Sequence, residues 1–269
     1  MTKKSPKYII ETSAVPVALG QSTPSHCQAF HASTKGGALS TSVYIRMEFV
    51  RRWIKYYLRV AFRLDHFGSM SSALRHENQS FSPRDVKALN DLLADLVGQG
   101  IPVSNETTAE EVVRIAVWNL RRFDRAFRNR TNNVCGCRIG AKELKVDFNC
   151  LWDDVRDFFR ATATVLDCPV NSFLDFRPVG RAGKLLDNPG VAQRTKSGIA
   201  LAKLRDAGKH ITCLECRRIG DIVIALDQRP SWCLAHIDED FNILCPALGK
   251  SHKQLPSERS VEKDAPKIG

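Results

Sequence analysis

The sequence predicts an α/β protein. Its parallel sheet is assembled from the two ends of the chain, with a mostly helical region inserted between them. Three observations carry this expectation. Near the N-terminus, short apolar runs alternate with capped, helix-periodic stretches, as strands and helices do in parallel folds. The middle of the chain reads as successive amphipathic helices. Towards the C-terminus, helix and strand signals return.

In order, "KYII" at 7–10 is a β-rich run that ends on Glu11. "ETSAVPVAL" follows, with Thr12 and Ser13 as capping residues and Pro16 near a helix start, where proline is tolerated. "ALST" is a short strand, and Ser42 is the N-cap of a helix on which Val43, Met47, Val50 and Ile54 recur at helical spacing. Arg51, Arg52 and Lys55 interleave with that stripe, and Glu48 lies near its first turn. Ser82, Pro83 and Asp85 open the next helix, and Gly98 and Gly100 close it. Thr107 and Glu110 stand at capping-box spacing before a helix with an apolar face through Val113, Val117, Leu120 and Phe127.

"KVDFNCLWDDVRDFFRATATVL" is a further amphipathic helix, and "FRPVGRAGKLLDNPG" reads as loop. "TKSGIALAKLRDAGK" is a helix closed by Gly208. "GDIVIAL" opens a late helix with Asp221, "SWCLAHI" is a strand, and "DEDFNILCPAL" leaves it. The domain expectation is therefore an α/β domain over 1–64 and 191–248, with a helical insertion over 65–190. The segment 249–269 carries almost no large apolar residues and is expected to be a disordered tail.

Composition narrows the function classes. The 269 residues are 43% hydrophobic and 26% charged, which suits a folded protein able to bury a large core. No apolar run reaches the roughly 18–20 residues that cross a bilayer. Glu11 interrupts the first apolar stretch, so no cleavable signal peptide is expected and the expected location is cytoplasmic, without a membrane partner. Forty Lys and Arg against 29 Asp and Glu, a formal charge of +11, favour a polyanionic partner. Nine cysteines without an export signal argue against a disulfide framework.

Four acids share one type of position. Glu11 ends the first strand, Glu48 opens the helix after the second, Asp221 opens a late helix, and Asp238 ends the last strand. In an open parallel sheet these positions line one edge, where ligands bind. Converging carboxylates repel and need a cation, and Mg²⁺ or Mn²⁺ prefers oxygen ligands. Taken singly, an acid at a helix start is also explained by the macrodipole.

The segments "YIIETSAVPVAL", "LSTSVYIRMEF", "GDIVIAL" and "CLAHIDEDF", in this order, resemble the acidic motifs of PIN-domain ribonucleases. In that family a strand ends in Asp followed by a small hydroxyl residue, a Glu lies on the helix after the second strand, and an Asp opens a late helix. A Thr-x-Asp-x-Asp-Phe-like segment then follows the last strand. The resemblance covers about residues 7 to 60 and 195 to 248. It implies a three-layer α/β/α sandwich around a central parallel sheet, and an endoribonuclease that hydrolyses RNA phosphodiester bonds with Mg²⁺ or Mn²⁺. By resemblance, Glu11, Glu48, Asp221 and Asp238 hold that ion and Asp240 assists from outside.

Two positions depart from the pattern: Glu11 stands where the family has Asp, and His236 where it has Thr or Ser. They favour a second reading, a PIN-like scaffold that binds nucleic acid or protein without cutting. A third is a toxin-like ribonuclease controlled by a protein partner or inhibitor.

Cys135 and Cys137 form C-x-C, and Cys213 and Cys216 form C-x-x-C; together they could make a tetrahedral zinc site. The other cysteines are expected to be buried apolar residues. Arg121, Arg122, Arg125, Arg128, Arg130, Arg138 and Lys142 make a basic stretch suited to RNA phosphates. Arg121, Arg125 and Arg128 fall on one helical face. With Phe123 and Phe127 read as core residues, stacking on bases is not strongly indicated.

Overall fold

A computed structural model describes residues 6–78, 83–134, 185–207 and 218–264. It forms two compact units. The first comprises 1–48, 126–143 and 164–269, and the second 49–125 and 144–163.

Among the described residues the first unit is built on five parallel strands in the order β3-β2-β1-β4-β5. Strands β1 (Lys7–Ile10) and β2 (Ala38–Ser42) come from the N-terminal segment, and β3 (Asn132–Val134) follows the helical region. Strands β4 (Cys233–His236) and β5 (His252–Gln254) come from the end of the chain. Ile9, Ile10, Leu234 and Ala235 are fully buried. This is why "KYII" and "CLAH" are continuous apolar runs: central parallel strands are covered on both faces and do not alternate. The α/β class and the parallel sheet drawn from both ends are as the sequence implies.

Helices α1 (Val15–Ala18) and α2 (Pro24–Thr34) link β1 to β2. Thr12 and Ser13 do not cap α1; Ala14 occupies that place without a side-chain bond. Helix α2 lacks an apolar stripe in sequence, burying chiefly Phe30, His26 and Thr34. It ends where Lys35 and Gly36 both take positive φ.

Helix α3 (Val43–Phe67) follows β2 directly, and Ser42 caps it through its hydroxyl, 3.2 Å from the Ile45 amide. In the second unit it is joined by α4 (Met70–Asn78), α5 (Pro83–Gly98) and the larger part of α6 (Ala109–Arg130). Ile54, Leu58, Leu92, Leu96, Val113, Val117 and Leu120 form that unit's core, and Phe49, Trp53 and Phe123 pack as a ring cluster. The capping box of α6 is Thr108 with Glu111, not Thr107 with Glu110: Glu111 accepts from the Thr108 amide at 2.8 Å, and the Glu111 amide donates back at 3.2 Å. Thr107 is committed elsewhere, donating to the Pro102 carbonyl and accepting from the Ser104 amide.

Helices α7 (Pro189–Arg194), α8 (Lys196–Ala207), α9 (Gly220–Asp227), α10 (Phe241–Ala247) and α11 (Glu258–Asp264) also belong to the first unit. Of the expected tail, the described residues 249–264 are instead part of that unit. β5 pairs with β4, Leu255 is buried, and the Pro256 carbonyl lies 2.9 Å from His26 Nε2. Three residues paired to a strand edge and one buried leucine hold the segment, too few apolar groups to stand out in sequence. The unit boundaries also differ from those expected. They fall within α3 and α6, and β3, which was not anticipated, returns 132–134 to the sheet. Among the described residues no helix is long and apolar enough to cross a membrane.

Candidate functional site

The strand order reverses between β1 and β4, and the C-terminal edge of a parallel sheet at such a switch point is where ligands bind. Glu11 leaves β1 there and Asp238 lies just beyond β4. Glu11 is 2% exposed, and its two oxygens accept from the Ile237 amide at 3.0 Å and the Ser13 amide at 2.5 Å. Thr12 faces the same edge and donates its hydroxyl to Glu48 on α3. This explains why Thr12 is not a helix cap.

Asp221 opens α9 and accepts from the Ser197 hydroxyl at 3.0 Å. The start of α9 packs closely: a Cβ on Gly220 would lie 2.4 Å from the Tyr44 hydroxyl, so only glycine lets the helix approach. Asp238 forms an ion pair with Lys196 at 3.5 Å and accepts from the Asp240 amide at 3.1 Å. Asp240 accepts from the Lys196 amide at 2.9 Å, which fastens the 237–240 loop to the start of α8. The start of α8 is itself fixed by Gly198, whose amide donates to Thr195 Oγ1 and whose Cβ position is filled by the Val191 carbonyl.

The four acids expected at this edge influence one another. Burial pushes the Glu11 carboxyl up to about 7; the Ile237 and Ser13 amides oppose the shift, and Glu48 and Asp238 add to it. Asp221 is raised well above the ordinary carboxylate range, first by burial and then by Glu48. The Ser197 hydroxyl opposes that rise, while Asp238 and Glu11 reinforce it. At neutral pH the cluster therefore retains protons that isolated carboxylates would have lost.

His236 is wholly buried and turns both nitrogens to the protein. Nδ1 lies 2.8 Å from the Asp238 carbonyl and so carries the proton, which leaves Nε2 to accept from His252 Nδ1 at 3.1 Å. Burial lowers its pKa to about 4, keeping it neutral. It braces the loop that carries Asp238.

All the donors at this edge are oxygens, a set whose chemistry fits Mg²⁺ or Mn²⁺ better than Zn²⁺. As the side chains stand, no three His, Cys, Asp or Glu among the described residues are grouped to hold a metal ion. The carboxylates turn to protein donors instead. Cys135, Cys137, Cys213, Cys216, Arg138 and Lys142 lie outside the described residues, as do Cys150 and Cys168. Cys245 is buried, and Cys27 and Cys233 are half-buried. Arg121, Arg122, Arg125, Arg128 and Arg130 are all exposed on α6, the last two on the part that belongs to the first unit.

Sequence reasoning missed Ser197, Lys196 and the role of Thr12. Each is a polar residue at an element boundary, where a helix cap and a site contact look alike. Comparison with family models, with curated proteins and with solved structures finds no match.

Proposed function

We propose that this chain is a PIN-like, metal-dependent endoribonuclease with a three-layer α/β/α domain. In this reading Glu11, Glu48, Asp221 and Asp238 would hold Mg²⁺ or Mn²⁺, and Asp240 would act from outside them. The observation that supports it most is that four carboxylates from segments about 200 residues apart lie along one sheet edge, with Glu11 and Asp221 shifted upward, first by burial and further by the neighbouring acids. Crowding carboxylates in this way without a cation is unfavourable.

When bound, a divalent cation would supply charge stabilisation on a phosphate and activation of water. The chain's own residues orient the carboxylates. Thr12 holds Glu48, Ser197 holds Asp221, and His236 with the Asp240 amide holds the Asp238 loop. Glu11 and Asp221 must release their protons before a cation is seated. Arginines on α6 would hold RNA phosphates.

One observation favours a second reading, a scaffold that binds without cutting. Each carboxylate already has protein donors, and Lys196 already brings a positive charge to Asp238. Cleavage of a mixed RNA pool, in Mn²⁺ and in EDTA, separates the two. Asp221→Asn/Asp238→Asn, verified as folded by circular dichroism, is the comparison. Cleavage that requires both the ion and the acids supports the nuclease, whereas metal-independent binding with no cleavage by either protein supports the scaffold.

A further inference from the structure

Along α6, between residues 114 and 125, the exposed positions are Arg114, Trp118, Arg121, Arg122 and Arg125. Their spacings of 4, 7, 8 and 11 from Arg114 put them on one face, about 16 Å long at 1.5 Å per residue. The opposite face is core: Val112, Val113, Ala116, Val117, Leu120 and Phe123 are buried. The solvent face of a helix ordinarily mixes both charges, because like charges one turn apart repel. Here it holds four arginines, with half-buried Asp124 among them and exposed Glu110 one turn before Arg114. A face so rich in arginine suits a polyanionic partner.

Trp118 breaks the pattern in a second way. It is 40% exposed, on a helix whose other large apolar side chains in this stretch are buried. The Arg122 guanidinium lies over its ring, 5.2 Å from the centroid, which fixes a positive charge beside exposed aromatic surface. Arginines that track a backbone, with an aromatic on which a base stacks, are the combination that binds single strands; in a duplex the base faces are already stacked.

We propose that this face of the helical unit binds single-stranded nucleic acid. Arg114, Arg121 and Arg125 contact phosphates, and a base stacks on Trp118 next to Arg122. The inference refines the substrate of the ribonuclease reading to unpaired strands, and rests on that reading only for RNA being the strand in question. It uses none of the carboxylates.

The test is fluorescence anisotropy on the full-length chain in EDTA, with a labelled mixed-sequence RNA strand, the matching DNA strand and a blunt RNA duplex. Trp118→Ala should weaken single-strand binding about tenfold, the scale of one stacked base, while leaving the weaker duplex binding unchanged. Trp118→Phe should restore most of the loss and excludes misfolding as its cause. Arg121→Gln/Arg125→Gln should weaken every ligand and reduce the slope of log K against log salt by about 1.4 for single strands.

RNA and DNA strands binding alike would assign recognition to phosphate and base face, and RNA preferred over DNA would add a 2′-hydroxyl contact; both support the proposal. Unchanged single-strand binding by Trp118→Ala, or an equal loss on the duplex, overturns it. So does a Trp118-dependent self-association in sedimentation without nucleic-acid binding, which would make the face a protein contact. If strands bind and nothing is cleaved, only the ribonuclease reading fails. If RNA is cleaved and Trp118→Ala binds as wild type, only this inference fails.

Discussion

Glu11 is buried at the end of β1 and shares its surroundings with Glu48, Asp221 and Asp238, whereas Arg121 and Arg125 stand in solvent one turn apart on α6. Both regions crowd like charges, but water treats them differently. On the helix, solvent screens the arginines, and each like-charge neighbour costs a few tenths of a kcal/mol. At the sheet edge Glu11 is buried and the other three acids are half-buried, so loss of water, reinforced by the neighbouring carboxylates, retains protons on Glu11 and Asp221. An exposed run of charge costs the fold little. A buried one alters the fold's response to pH and metal, and so can be detected without knowing the ligand.

The largest expected effect breaks the comparison at its acidic side. Asp221→Asn/Asp238→Asn should reduce RNA cleavage in Mn²⁺ by at least roughly 10³-fold, the scale of a lost electrostatic contribution of several kcal/mol to the transition state. RNA affinity in EDTA, carried by the arginine side, should change less than about twofold. A gel-based cleavage assay and anisotropy on the same preparations check both. Loss of affinity in step with cleavage would mean that the two regions do not divide the labour.

Next in size is the pH response. Glu11 has a pKa of about 7 folded against an ordinary 4.5, so the folded state binds more protons between these values. Stability is then fully retained below about pH 4.5 and falls as pH rises towards 7, by at most about 3 kcal/mol from this group. Asp221 acts in the same direction. In EDTA, the melting temperature of the wild type should fall more between pH 5 and 8 than that of Glu11→Gln, and Mn²⁺ should recover more of it at pH 8 than at pH 5. Parallel pH profiles for the two proteins would mean that Glu11 ionises freely and the cluster is not under strain.

Much of this edge was legible because strand ends and helix starts announce themselves. "KYII" before Glu11 and "CLAH" before Asp238 are apolar runs that stop at an acid, and Ser42 marks the start of α3. What was not legible depends on choices between equivalent neighbours or on few residues. Thr107 and Thr108 stand equally well before a glutamate at box spacing, and the loop at Pro102 decides between them. Strands β3 and β5 are three residues each, below any periodic signal, and exist because the edges of β2 and β4 offer them bonds. The exposure of Trp118, by contrast, accords with its spacing, one turn from Arg114 and Arg121 and outside the Val113, Val117 and Leu120 stripe.

Packing under the acidic edge gives a smaller effect. Gly220→Ala places a methyl 2.4 Å from the Tyr44 hydroxyl and only 3.3 Å from the ring carbon that bears it. Alanine there should destabilise the chain by about 1–3 kcal/mol, as overpacking does. In the Tyr44→Phe background, where the clashing oxygen is gone, the same change should cost at least about 1 kcal/mol less. Urea denaturation of the four proteins in the cycle measures this. Additive costs would show that α9, and with it Asp221, is not seated on Tyr44.

The smallest expected change in stability sharpens the comparison most, because Lys196 is the cation that the sheet edge already has. Its ammonium is 3.5 Å from Asp238, with the lysine 60% exposed and the aspartate 34%. An exposed pair of this kind contributes under about 1 kcal/mol, so Lys196→Met should barely move the melting temperature. Its effect on metal has a definite sign. An ammonium beside Asp238 repels an incoming divalent ion and competes for the same oxygens, so removing it should strengthen Mn²⁺ binding a few-fold in calorimetry. The Lys196 amide bond to Asp240 does not depend on the side chain and stays in place. If Mn²⁺ binds no better to Lys196→Met, then Lys196 is not a stand-in for a metal, and its bond to Asp238 belongs to a scaffold that needs none.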